Sequence, residues 1–188
     1  MTEFVIDRRD AKAFMRVAGD SIYDRIFVGQ GHIIATNGKC FVMADAVDTN
    51  GKAFVCVSGE FIRNAIKSKS NIIIDFEKMV CRDENQQECA LVESSIKHEI
   101  FLKLLEQKPE EVKTSFLNVA GDIMEMLYKF SKDIGIHKYM TFKQISKLHT
   151  VVIWEKVDNI VGLVCTHSGF YNDETQVNDF LNELLSDL

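Results

Sequence analysis

Apolar and polar positions change period several times along the chain. Phe4, Val5 and Ile6 read as a short strand, followed by Asp7, with Asp10 three residues on. That spacing suits a helix N-cap and a capping-box-like acid. Ala11, Phe14, Met15 and Ala18 then recur on one helical face before Gly19. Between residues 22 and 57 the stretches are short, β-branched or aromatic, and are cut by Gly-Gln-Gly (29–31), Thr-Asn-Gly (36–38) and Asp-Thr-Asn-Gly (48–51). Such turn signals predict a meander of about four strands. Ser58 is expected to cap a second amphipathic helix, with Phe61, Ile62, Ala65 and Ile66 apolar, that Asn71 closes. Residues 72–76, 79–82 and 88–92 predict three further strands.

Beyond residue 95, Ile100, Phe101, Leu104 and Leu105 suit a turn or two of helix, stopped near Pro109. Residues 115–119 read as a strand, and Ile123, Met126, Leu127 and Phe130 as a helical stripe. Strands are predicted at 136–142, 150–155 and 160–165. A β-α-βββ unit therefore recurs by order of elements. Last, Val177, Phe180, Leu181, Leu184, Leu185 and Leu188 form an amphipathic helix. Asp173, Glu174, Asp179, Glu183 and Asp187 make its remainder acidic. This helix either completes the chain's own core or occupies a groove of its own or a neighbouring copy. The expected fold class is α+β, with antiparallel sheets and helices on one face. The expected segments are a first domain of two units (1–95), a connector (96–112), a partial second unit (113–170) and the terminal helix (171–188).

Composition narrows this picture without naming a function. Of 188 residues, 46% are hydrophobic and 27% charged, values of an ordinary soluble chain. No apolar run approaches the roughly 20 residues needed to span a bilayer, so no membrane association is expected. The N-terminus shows no basic and apolar secretory pattern. Five cysteines, at 40, 56, 81, 89 and 165, include no CxxC pair, which points to a reducing cytoplasm. Lys plus Arg number 22 against 28 acids, a net charge of −6. That argues against a generally sticky nucleic-acid binder but allows one local basic face.

The residues offer no catalytic constellation. His32, His98, His137, His149 and His167 have no metal-ligand spacing, and Cys165 and His167 lie two apart without further ligands. Buried structural cysteine is the better reading. Nucleophile elbow, phosphate loop and dinucleotide motif are all missing. The acid pairs at 83–84 and 110–111 sit in polar, turn-like segments. No cofactor, no metal and no enzymatic activity are expected. The helices say more. Arg9, Lys12 and Arg16 are spaced i, i+3, i+7, with Arg8 beside Lys12; Arg63 and Lys67 are i, i+4, with Lys69 close by. On the third helix Lys129 and Lys132 are diluted by Asp122, Glu125 and Asp133. Two readings stay open: wet faces of amphipathic helices, or a surface for phosphates.

Several strings resemble the bacterial sliding clamp, the beta subunit of DNA polymerase III. ATNGKCFVMA (35–44) resembles the clamp's Ala-Thr-Asp-Gly-His-Arg-Leu-Ala strand-turn-strand, and KAFVCVSGEFIRNAI (52–66) its strand entering a helix. FLNVAGDIMEMLYKF (116–130) and TVVIWEKVDNIVGLVCT (150–166) are similar to the last helix and closing strands of its final domain. The resemblance implies a ring with helices around a hole and sheets outside, acting as a topological tether in replication. It implies non-sequence-specific contacts to double-stranded DNA from Arg8, Arg9, Lys12, Arg16, Arg63, Lys67 and Lys69. It also implies a pocket for peptides of replication or repair proteins, lined by Thr36, Gly38, Lys39, Cys40 and Phe41 and closed by Leu148, Thr150, Leu163 and Cys165. The family has three domains of two units each, whereas this chain has about one and a half. Cys40 and Lys39 stand where the family's pocket arginine and histidine do. A ring would therefore need several copies, a homo-oligomer, or a full-length partner. The alternative is a non-enzymatic interaction module, of phage or mobile-element type, that does not encircle DNA.

Overall fold

A computed structural model describes residues 3–106, 119–136, 140–145, 149–154, 157 and 159–165. Strand β1 (Glu3–Ile6) leads directly into helix α1 (Arg8–Val17). Asp7 caps the helix as its sequence predicts, its carboxylate accepting the Arg9 N–H at 2.7 Å. Ser58 begins helix α2 (Gly59–Lys67) differently: its hydroxyl makes no capping bond, and the Gly59 N–H donates to the Asp24 carbonyl at 2.9 Å. This helix ends at Ser68, three residues before Asn71, where the Ser68 N–H closes on the Asn64 carbonyl. Between the helices run β2 (Arg25–Gly29), β3 (His32–Thr36), β4 (Cys40–Asp45) and β5 (Val55–Ser58). After α2 come β6 (Ile72–Asp75) and β7 (Val80–Asp83).

The segment expected as one strand over 88–92 is two. β8 (Glu88–Ala90) pairs with β7, while β9 (Val92–Glu93) pairs with β5 in the other sheet. Leu91, buried between them, makes the crossing, with its N–H on the Met79 carbonyl at 2.8 Å. Helix α3 (His98–Leu105) falls where the apolar spacing near Pro109 suggests. Helix α4 (Gly121–Asp133) precedes β10 (Met140–Gln144), β11 (His149–Trp154) and β12 (Ile160–Cys165). Within 136–142, strand geometry among the described residues begins only at Met140. The strand expected before α4, save Val119, and the terminal helix lie outside the described residues.

The strands form a four-stranded sheet, β1-β6-β7-β8, and an eight-stranded one, β10-β11-β12-β4-β3-β2-β5-β9, with every pairing antiparallel. The first two β-α-βββ units exchange their leading strands. β1 lies on β6 of the second unit, with Glu3 opposite Asp75, and β5 lies on β2 of the first, with Arg25 opposite Ser58. The third unit joins through its last strand, β12 on β4, with Leu163 opposite Phe41.

Alternation along the strands divides the core into two layers. On one face Val28, Ala35, Val42, Val57, Val152 and Trp154 pack with Phe14 of α1, Ile62 of α2 and Leu127 and Phe130 of α4. The helices of the three units thus share one face, as expected. The connector helix α3 covers the other, where its Phe101 meets Phe27, Phe41, Phe54 and Leu163. The fold is α+β with antiparallel sheets.

Candidate nucleic-acid interface

Helix α1 lies between α2 and α4 and packs against both. That position decides what its basic stripe faces. Lys12 Nζ is 2.7 Å from Asp133 Oδ1, and Arg16 Nε is 2.9 Å from Asp133 Oδ2, so two cations of α1 converge on one carboxylate at the end of α4. Burial pushes the Asp133 carboxyl up, but the hydrogen bonds from Lys12 and Arg16 outweigh it and hold it below the ordinary 3.8. On α2, Arg63 grips Asp24 with both ends of its guanidinium, at 2.6 and 2.8 Å. A Cβ at Gly59 would collide with that Asp24 carboxylate, so only glycine fits at the start of this helix. The hydrogen bond from Arg63 holds the Asp24 carboxyl below its usual range.

Of the seven candidate DNA contacts, Lys12, Arg16 and Arg63 are therefore partly neutralised inside the protein. Arg8, Arg9, Lys67 and Lys69 are exposed and form no ion pair with any described residue. Sequence reasoning missed Asp133 and Asp24. Asp24 lies 39 positions from Arg63, and Asp133 lies 121 from Lys12, so no local spacing announces either partner.

The candidate pocket residues divide by face. At the β3–β4 turn, Thr36 Oγ1 donates to the Cys40 carbonyl at 2.7 Å, and Gly38 takes φ +83°. The Lys39 carbonyl accepts the Cys165 N–H at 2.8 Å, tying this turn to β12. Phe41 and Leu163 stand opposite each other on adjacent strands, both buried beneath Phe101, whose ring meets Phe41 edge-on at 5.2 Å. Cys40 belongs to the layer under α1, α2 and α4, and strand alternation puts Thr150 on that same face. Leu148 lies outside the described residues.

Next to α3 is a cavity of about 500 Å³, lined by Gln30, Phe54, Ile96, Lys97, His98 and Lys103 among others. There the His98 Nε2 lies 2.9 Å from His32 Nδ1, which is also 3.1 Å from the Gln30 carbonyl. That carbonyl can only accept, so the tautomer that satisfies both contacts has the proton on His32 Nδ1 and leaves His98 Nε2 as the acceptor. Desolvation first, and then the neighbouring His32, lower the His98 pKa below 6.5. The spacing of His32 and His98 in sequence gives no sign of this pair.

Burial pushes the Cys40 and Cys81 thiols up to about 12 and leaves them unreactive, while Cys165, an exposed residue, is raised by partial desolvation. No cluster of three metal-ligating side chains occurs among the described residues, and His167 lies outside them. No helix among the described residues is long and apolar enough to cross a membrane.

No family model matches the chain, and no curated protein does. Solved structures do. The DNA polymerase III subunit beta of Borrelia burgdorferi aligns over 89% of this chain and 64% of its own, with a TM-score of 0.58 and 10% identity. That of Thermotoga maritima aligns over 93% and 67%, at 0.57 and 10%. The Helicobacter pylori beta clamp, solved bound to a DNA ligase peptide, aligns over 93% and 69%, at 0.56 and 11%. The chain spans about two thirds of the length of the structures it matches. Its exchanged leading strands, antiparallel sheets and shared helix face, together with these likenesses, give it the fold of the DNA polymerase III beta sliding clamp, at low sequence identity.

Proposed function

We propose that this chain is a non-enzymatic, clamp-like tether in DNA replication, holding double-stranded DNA by its phosphates and docking partner proteins as a homo-oligomer. The observation that carries this reading is the row α2–α1–α4 on one face of the sheets, with Arg8 and Arg9 exposed on α1, and Lys67 and Lys69 exposed at and after the end of α2, in a chain of net charge −6. Exposed cations on neighbouring helices of an acidic protein suit phosphate contacts without base readout. Partner peptides would dock at the β4–β12 junction over Phe41 and Leu163. Because Phe101 of α3 already covers both side chains, a peptide entering there displaces α3 or binds beside it.

The test is fluorescence anisotropy with unrelated double-stranded DNA sequences across a salt series. Affinity is expected to be equal for all sequences. In the variant carrying Arg8→Glu, Arg9→Glu, Lys67→Glu and Lys69→Glu, the slope of log affinity against log salt should flatten by about 3 to 4. Equal DNA binding by that variant and the parent would overturn the DNA reading and leave a protein-interaction module that does not encircle DNA.

A further inference from the structure

The β2–β3 turn and the first residue of α3 bring three ligand-type atoms together beside the cavity of about 500 Å³. His98 Nε2 lies 2.9 Å from His32 Nδ1, and the Gln30 carbonyl oxygen lies 3.1 Å from that same Nδ1. Two ligands at right angles on one metal ion, each about 2.1 Å from it, stand about 3 Å apart. Regular structure holds all three. His32 opens β3, opposite Gly29 on one side and Asp45 on the other. Gln30 and Gly31 take φ of +50° and +84°, the tight-hairpin conformation that fixes the carbonyl. His98, 5% exposed, is set between His32 and the Phe54 ring, whose centroid is 5.2 Å away.

The far nitrogen of His32 adds a second sign. Its Nε2 lies 3.7 Å from Oδ1 of the exposed Asp45. A metal-bound histidine commonly turns its other N–H to a carboxylate, which fixes the ring and makes it a stronger ligand. Moving the His32 proton from Nδ1 to Nε2 does this: the N–H then faces Asp45 and Nδ1 is freed for a metal, with no proton lost. His98 Nε2 is already an acceptor. We infer that His32 and His98 hold a divalent transition-metal ion of the imidazole-binding class. The Gln30 carbonyl is its third ligand, and water from the cavity completes the shell. Nitrogen ligands favour nickel, copper or zinc over magnesium and calcium, which take oxygen. Asp45 and Glu99 offset Lys97 and Lys103 around the site. The two histidines lie 66 positions apart, so an ion between them fastens α3 to β3. This site depends on neither DNA nor a partner peptide, and its test contains neither.

Isothermal titration of the full chain with Ni²⁺ at neutral pH should show a saturable site, which excess Mg²⁺ does not compete for. His32→Gln and His98→Gln should each weaken it by at least about tenfold, with the circular dichroism spectrum unchanged. Asp45→Asn, which keeps both ligands, should weaken it less. On the unmodified protein, paramagnetic Ni²⁺ should broaden first the amide signals of residues 30–32 and 97–99. Absence of saturable binding overturns the inference. So does Ni²⁺ binding that both histidine variants retain, or broadening centred on other residues, since either puts the ion on other side chains.

Discussion

Trp154, the chain's one tryptophan, is fully buried and donates its indole N–H to Ser131 Oγ at 2.6 Å; that hydroxyl donates to the Leu127 carbonyl at 2.7 Å. Ser131→Ala strands the indole N–H in the core and should cost about 1–3 kcal/mol. Thr150 is the opposite case. It is wholly buried and its hydroxyl finds no partner among the described residues, so Thr150→Val should leave stability equal or raise it by about 1 kcal/mol. Urea unfolding followed by Trp154 fluorescence reads both. Neither environment was legible in the sequence, where Thr150 looks like a pocket residue and Ser131 like an ordinary helix position. Hydrogen bonds between residues distant in the chain leave no periodic trace, unlike the local cap at Asp7, which the spacing did reveal.

Helices and strands were legible wherever one face is apolar, and misread wherever topology overrides the pattern. The stretch 88–92 has the composition of one strand, yet Leu91 divides it between two sheets. The basic stripe of α1 reads as a solvent face, yet half of it is a seam with α4. Asp133→Asn tests that seam. It should lower stability by at most about 1 kcal/mol, as Lys12 and Arg16 are nearly half exposed. It should also tighten DNA binding, by releasing two cations toward phosphate, in the anisotropy assay above. At α3, acid should act through His98. Protonating its Nε2 would set an N–H against the N–H of His32, with Asp45 beside His32 and Glu99, Lys97 and Lys103 around the cavity. A His pKa depressed in the fold gives stability that is full above 6.5 and lost as pH falls below it toward the folded value. The melting temperature should therefore drop between neutral and mildly acidic pH, and His98→Gln should flatten that dependence.

For the whole molecule, the order of elements carried more than any motif. The repeat of β-α-βββ was readable by eye, and the solved clamps share its architecture at about a tenth identity. The candidate contact residues were legible only in part: a sequence shows that Arg63 is basic, but not that Asp24 already holds it. The exchange of leading strands also governs how the chain is made. Glu3 pairs with Asp75 and Ile6 with Ile72, so β1 has no sheet partner until two helices and five further strands have been made, the last of them β6. Pairings so distant along the chain close slowly. Through that interval Phe4, Val5 and Ile6 stay without their sheet partner, which leaves this strand open to a chaperone during synthesis.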